Sequence, residues 1–156
     1  MATRGAGYAR SADLRIATIA VGVMAADLMV KWWATTVAVD GDHGHIVHTT
    51  NYGLAFGVAN PPFVATVALV AAVTGLVAAL TWRCVRIGDL EPWAAGALIG
   101  GAVGNLVDRL LSGGVHDFLR VGRLAMNVAD VMILVGFVGI AMAAARARAA
   151  RRCAAH

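Results

Sequence analysis

The segment Phe63–Trp82, FVATVALVAAVTGLVAALTW, runs without a single charge. A helix needs about 20 apolar residues to cross the hydrocarbon core of a bilayer. Inside lipid the backbone has no water to bond, so such a run folds as a helix or not at all. The composition agrees: 60% of the residues are hydrophobic and 14% are charged, where soluble domains carry about a quarter charged. Three further apolar stretches lie at about 14–37, 92–111 and 124–145. We therefore expect an all-α integral membrane protein of one domain, with four transmembrane helices at about 14–37, 63–82, 92–111 and 124–145. The first stretch is too long for a cleaved signal peptide, and Asp27 and Lys31 interrupt it.

The charges outside these runs set the orientation. The N-terminus carries Arg4, Arg10 and Arg15, Arg83 and Arg86 follow the second, and Arg146, Arg148, Arg151 and Arg152 lie in a basic tail, 146–156. The loop 38–62 has no Lys or Arg. Lysine and arginine collect on the cytoplasmic side, so both termini and the second loop are expected in the cytoplasm. The net charge of +4 is then a topology signal, and no nucleic-acid partner is expected. Cys84 and Cys153 have no partner at metal-binding spacing and are expected to be free thiols. In the outer loop 38–62, Asp40-Gly41 suits a turn and HIVHTTNYG has β-branched residues at near-alternate positions, which predicts a small extracytoplasmic β element. In the third stretch Gly96, Gly100 and Gly104 recur every four residues, a stripe that lets membrane helices approach closely.

The informative residues are the polar ones that hydrocarbon excludes. Asp27 and Lys31 are four apart, share a helix face and can pair. Asn105, Asp108 and Arg109 stand at i, i+3 and i+4 on one face. The Arg109 fork suits a carboxylate or a polarised carbonyl; it also suits a simple pair with Asp108. Asn127 and Asp130 share a face at the start of the last stretch, and Asp117 lies shortly before them. Each aspartate alone is an ordinary helix cap. Together they are a different object: two neighbouring carboxylates do not both ionise easily, so one keeps its proton while the other stays charged. The charged one takes a proton from water while the protonated one polarises a peptide carbonyl. His43, His45 and His48 lack a completing ligand set, so we expect solvated loop histidines and no metal or cofactor.

These residues fall in a familiar order. DLMVK, NYGLAFG, GGAVGNLVDR, VHDF and MNVAD resemble, in sequence, the motifs of the lipoprotein signal peptidases (signal peptidase II), bacterial membrane aspartyl proteases. The resemblance covers about Asp27 to Val135. It implies that Asp117 and Asp130 are the catalytic pair, and that Asn51, Asn105, Arg109 and Asn127 support or contact the substrate. Asp27, Lys31, Gly53 and Asp108 stand in the same motifs and complete the expected site. The implied substrate is a prolipoprotein whose cysteine already carries a diacylglyceryl group, cut just before that cysteine in the bacterial cytoplasmic membrane. Membrane lipids are implied partners, and the cyclic peptide globomycin an implied inhibitor. Four positions depart from the family pattern: Leu28, Leu54, His116, where an apolar residue is usual, and Met126. Two other classes compete with a peptidase: a relative that binds lipoproteins or lipids without cutting, and a proton-relaying transporter. Turnover of a lipidated precursor separates the first, and proton flux in vesicles the second.

Overall fold

The computed structural model describes residues 6–36, 46–53 and 61–154. In chain order these form α1 (Ala6–Thr36), β1 (Ile46–Asn51), α2 (Phe63–Arg86), α3 (Pro92–Ser112), β2 (Val115–Val121), β3 (Leu124–Met126) and α4 (Val128–Cys153). Among the described residues three helices, α2, α3 and α4, are long and apolar enough to cross a membrane.

Helix α3 is the centre of the bundle and packs against α1, α4 and α2. Its small residues make this possible. A Cβ added at Gly96 would lie 2.7 Å from Ile19 Cβ, one at Gly100 2.5 Å from the Ala20 carbonyl oxygen, and one at Gly104 3.0 Å from Asp27 Oδ2. The predicted stripe is therefore the face against α1. Gly101 looks the other way, where a Cβ would meet the Ala129 carbonyl oxygen of α4 at 2.5 Å. Polar groups gather at the C-terminal end of α3. At its other end Ala12, Ile16, Val85, Leu90, Ala94 and Ala95 form an apolar cluster.

The strands form one antiparallel sheet in the order β1-β2-β3. Thr49 pairs with Asp117 and Asn51 with Val115; Leu119 pairs with Met126 and Val121 with Leu124. Gly122 (φ 62°) opens the two-residue turn between β2 and β3, where a positive φ matches the twist of the strands. The β element is thus larger than expected, because the segment between α3 and α4 supplies two of its strands.

Several expected boundaries are corrected. The last helix begins at Val128 rather than about 124, because Leu124–Met126 pair with β2 and Asn127 caps the helix. A run of apolar residues reads the same in a buried strand as in a first helical turn. The stretch expected as a separate basic tail continues α4 as far as Cys153, since alanine and arginine are strong helix formers. Helix α1 starts at Ala6 rather than 14, and α2 runs to Arg86 rather than 82. In each case the helix outlasts its apolar span. Trp82 Nε1, at the end of the expected second span, donates to Asp13 Oδ1 in the extension of α1 at 2.6 Å. Cys84 and Cys153 are free.

Candidate active site

The start of α4 organises the site. A helix leaves its first N–H groups without partners. Here Asn127 Oδ1 accepts the Asp130 N–H at 2.9 Å, and Asp130 Oδ2 accepts the Asn127 N–H at 3.3 Å, a reciprocal capping box. The next orphan donor, Ala129 N–H, goes to Asp27 Oδ1 at 2.8 Å. Asp27 therefore does more than the expected pairing with Lys31: it fastens α1 to the positive end of α4.

With its oxygen committed to the helix, Asn127 points its amide at the sheet. Asn127 Nδ2 donates to Asp117 Oδ1 at 2.7 Å. One buried asparagine thus joins both aspartates. Asp130 Oδ1 also accepts from Asn105 Nδ2 at 2.9 Å, and Asn105 Oδ1 accepts from Lys31 Nζ at 2.9 Å. The Lys31 ammonium also forms ion pairs with Asp27 Oδ2 at 2.7 Å and Asp108 Oδ2 at 3.2 Å.

Arg109 does not form the simple pair with Asp108. Its Nη2 donates to the Gly53 carbonyl at 3.1 Å and its Nη1 to the Asn105 carbonyl at 3.3 Å. Asp108 is occupied instead by Lys31 and by His116, whose N–H and Nδ1 lie 2.8 and 2.9 Å from its two oxygens. Asn51 Oδ1 accepts the Gly53 N–H at 2.9 Å, so Asn51, Gly53 and Arg109 form one connected strut from the end of β1 to α3. Arg109 Nε is buried with no hydrogen-bond partner among the described residues.

Asp117 and Asp130 both line a cavity of about 520 Å³. Asn51, Asn105 and Arg109 share its polar end; Leu69, Val70 and Val73 of α2, Ile133, Leu134 and Phe137 of α4, and Met126 make its apolar wall. A smaller recess of about 180 Å³ on the sheet side also reaches Asp117 and Asn51, and is bounded by Thr49, Thr50 and Arg123. Asp117 is 5% exposed. Its burial, and next the negative charge of Asp130, push its pKa up to about 6, against the opposing hydrogen bond from Asn127. Burial and its neighbour's charge thus act together to keep the proton on this carboxyl.

All ten candidate residues thus fall into one connected assembly. Among the contacts that sequence reasoning left unassigned are Asp27 on α4 and His116 on Asp108. The first links residues a hundred positions apart and has no local signal; the second showed only as an unusual residue beside Asp117. His48 stacks on His116, with ring centroids 6.0 Å apart. His43, His45 and Leu54 lie outside the described residues, and Leu28 is half-buried. Among the described residues no group of three or more His, Cys, Asp or Glu is placed to hold a metal ion.

Comparison with known proteins gives a consistent result. The family model described as signal peptidase (SPase) II matches residues 19–146. A lipoprotein signal peptidase of Solibacter usitatus is 33% identical over 135 residues, covering 76% of this chain and 82% of that protein. One from Brevibacillus brevis is 38% identical over 124 residues, covering 72% and 78%. A solved bacterial membrane enzyme, determined by the in meso method at 2.3 Å resolution, superposes with a TM-score of 0.69 at 25% identity, covering 84% of this chain and 87% of that one. With the family model spanning most of its length, this chain belongs to the signal peptidase II family.

Proposed function

We propose that Asp117 and Asp130 are the catalytic pair of an aspartic endopeptidase that removes the signal peptide from diacylglyceryl-modified prolipoproteins, cutting before the lipidated cysteine. The family is one of aspartic peptidases acting on lipoprotein precursors, which supplies the reaction and substrate class. The single observation that carries the residue assignment is Asn127, which holds Asp117 with its amide and Asp130 with its carbonyl oxygen at the polar end of an apolar cavity.

In this reading Asp117 is the protonated member and Asp130 the ionised one. The upward shift of Asp117 supports that division. Asp130 takes a proton from a water molecule, and the water oxygen adds to the scissile carbonyl carbon. Asp117 donates to the carbonyl oxygen as charge develops there. The intermediate collapses by breaking the C–N bond: the proton held by Asp130 passes to the departing nitrogen, and one hydroxyl re-forms C=O by returning its proton to Asp117, which restores the pair. A substrate carbonyl bound at Arg109 Nε would satisfy its unused donor. Acyl chains would lie along the wall of Val73, Ile133, Leu134 and Phe137, at about 0.8 kcal/mol per buried methylene.

The membrane reading extends to α1, whose 31 residues reach about 46 Å at 1.5 Å per residue. We take it as a fourth span, with both termini cytoplasmic and the sheet on the outer side, in one peptidase domain. The gathering of ionisable residues at one end of the bundle argues against a proton relay through its depth. Globomycin-type cyclic peptides would occupy the same cavity.

The test is turnover of a synthetic diacylglyceryl-cysteine precursor by the purified protein in detergent. Cleavage before the cysteine is expected, with a loss of at least about a thousandfold in both Asp117→Asn and Asp130→Asn. Normal turnover by either variant would remove the mechanism. Equal cutting of lipidated and unlipidated precursors would remove the acyl groove.

A further inference from the structure

His116 has no part in the chemistry proposed above, yet its surroundings are specific. It precedes Asp117 on β2. Its backbone N–H donates to Asp108 Oδ2 at 2.8 Å, and its Nδ1 lies 2.9 Å from Asp108 Oδ1. A carboxylate only accepts, so the ring proton faces Asp108. The opposite face of the ring arrangement is set by His48 of β1, parallel within 5°. Asp108 in turn meets Lys31, Lys31 meets Asn105, and Asn105 donates to Asp130. The chain of contacts that begins one residue from Asp117 ends on Asp130.

We propose that His116 is a positioning residue that locks β2 to α3 through Asp108 and thereby fixes Asp117 relative to Asp130. The proposal rests on the catalytic reading of the two aspartates given above. Its physical basis is geometric. Two hydrogen bonds from one residue to one carboxylate fix that residue's orientation as well as its distance. Because successive residues on a strand face opposite sides, holding the His116 ring on Asp108 holds the Asp117 carboxyl on the side of Asn127. An apolar residue at position 116 keeps the backbone bond and loses the ring bond. Asp108 is buried, and Oδ1 has the His116 ring as its hydrogen-bond partner among the described residues. Losing that partner frees the carboxylate to rotate towards Lys31, and the disturbance passes to Asn105 and Asp130.

The experiment compares His116→Val and His116→Asn with the unaltered protein on the diacylglyceryl-cysteine precursor. Asparagine can place an amide donor near the position of Nδ1; valine keeps strand propensity without a donor. We expect His116→Val to lower kcat by about tenfold, with KM changed less than threefold, and His116→Asn to recover most of that loss. The double variant Asp108→Asn with His116→Val should be no slower than Asp108→Asn alone, because both act on one link. Thermal unfolding in the same detergent identifies any variant that has lost its fold. If His116→Val does so, the His116→Asn and Asp108→Asn kcat values, and their double variant, carry the same comparison. Full kcat in a folded His116→Val, failure of asparagine to restore activity, or additive losses in the double variant would overturn the proposal. The catalytic reading fails separately, if the unaltered protein does not cut or if Asp117→Asn cuts normally.

Discussion

Asn127 and Asp117 are joined by a 2.7 Å hydrogen bond from the asparagine amide to a carboxylate oxygen, and the asparagine is 1% exposed. Since the same side chain caps α4 through its oxygen, its amide cannot rotate away without uncapping the helix. Asn127→Ala should therefore have two separable effects. Loss of the cap costs stability, typically ~1 kcal/mol. Loss of the hold on Asp117 should lower kcat/KM roughly 10- to 100-fold, in line with the ~1–3 kcal/mol of leaving a buried polar group without its partner. Thermal unfolding and steady-state kinetics on one preparation check both. Activity within twofold of the unaltered protein would show that the bridge is not used.

The elevated Asp117 predicts a particular pH dependence. Its pKa of about 6 stands above the ordinary 3.8 because of burial and then Asp130. As the acid of the pair it is protonated at pH 5 and mostly ionised at pH 8. The kcat/KM should therefore fall as pH rises above about 6, approaching tenfold per unit. Asn127 favours the ionised form, so Asn127→Ala should move this limb to higher pH. Asp130→Asn removes a negative neighbour, so Asp117 should then titrate lower, as read by carboxyl infrared bands in that variant. The linkage to stability has the same sign. The folded state keeps a proton that the unfolded chain has released, so this contribution is complete below about pH 4 and is lost as pH rises to about 6. A flat kcat/KM from pH 5 to 8 would remove Asp117 as the acid.

How far the chain could be read from its sequence depended on the range of each signal. Apolar runs gave the helices, because lipid leaves a long apolar segment few alternatives. The glycine stripe gave a packing face, and the structure shows α1 as its partner. Asp117, Asn127 and Asp130 lie close in sequence, so their meeting needed only a hairpin. Their spacing could not show that the hairpin is β2 and β3, because three residues, Leu124–Met126, carry too little pattern to separate strand from helix. Least legible were bonds set by tertiary geometry. Asp27 to Ala129 and Arg109 to Gly53 join distant segments, and Arg109 next to Asp108 suggests a local ion pair that the fold does not make.

The close approach of α1 and α3 predicts an order among glycine substitutions. A Cβ at Gly100 would sit 2.5 Å from the Ala20 carbonyl oxygen and 2.9 Å from Ala20 Cα, both backbone atoms, so α1 itself would have to move. Gly100→Ala should destabilise by about 1–3 kcal/mol, the usual range for overpacking. At Gly75 nothing lies within 4 Å. Gly75→Ala should be neutral or stabilising by up to ~1 kcal/mol through helix propensity. Unfolding temperatures in a common detergent compare the two. The reverse order would show that the stripe does not set the helix separation.

Lys31 predicts the largest loss of stability, and one that a second substitution relieves. It is 3% exposed and lies between two buried carboxylates, Asp27 and Asp108. Lys31→Met leaves both without their shared cation. Breaking a buried ion pair from one side costs about 3–5 kcal/mol, mostly the penalty of the stranded charge. Asp27→Asn removes one of those charges while keeping an oxygen for the Ala129 N–H. The double variant Asp27→Asn with Lys31→Met should therefore be more stable than the sum of the single losses by at least about 1 kcal/mol. Activity should not recover in step. Lys31 also holds the Asn105 oxygen, and without that bond the amide is free to turn its donor away from Asp130. The double variant should then be folded but slow, whereas a role limited to charge balance would restore stability and kcat together.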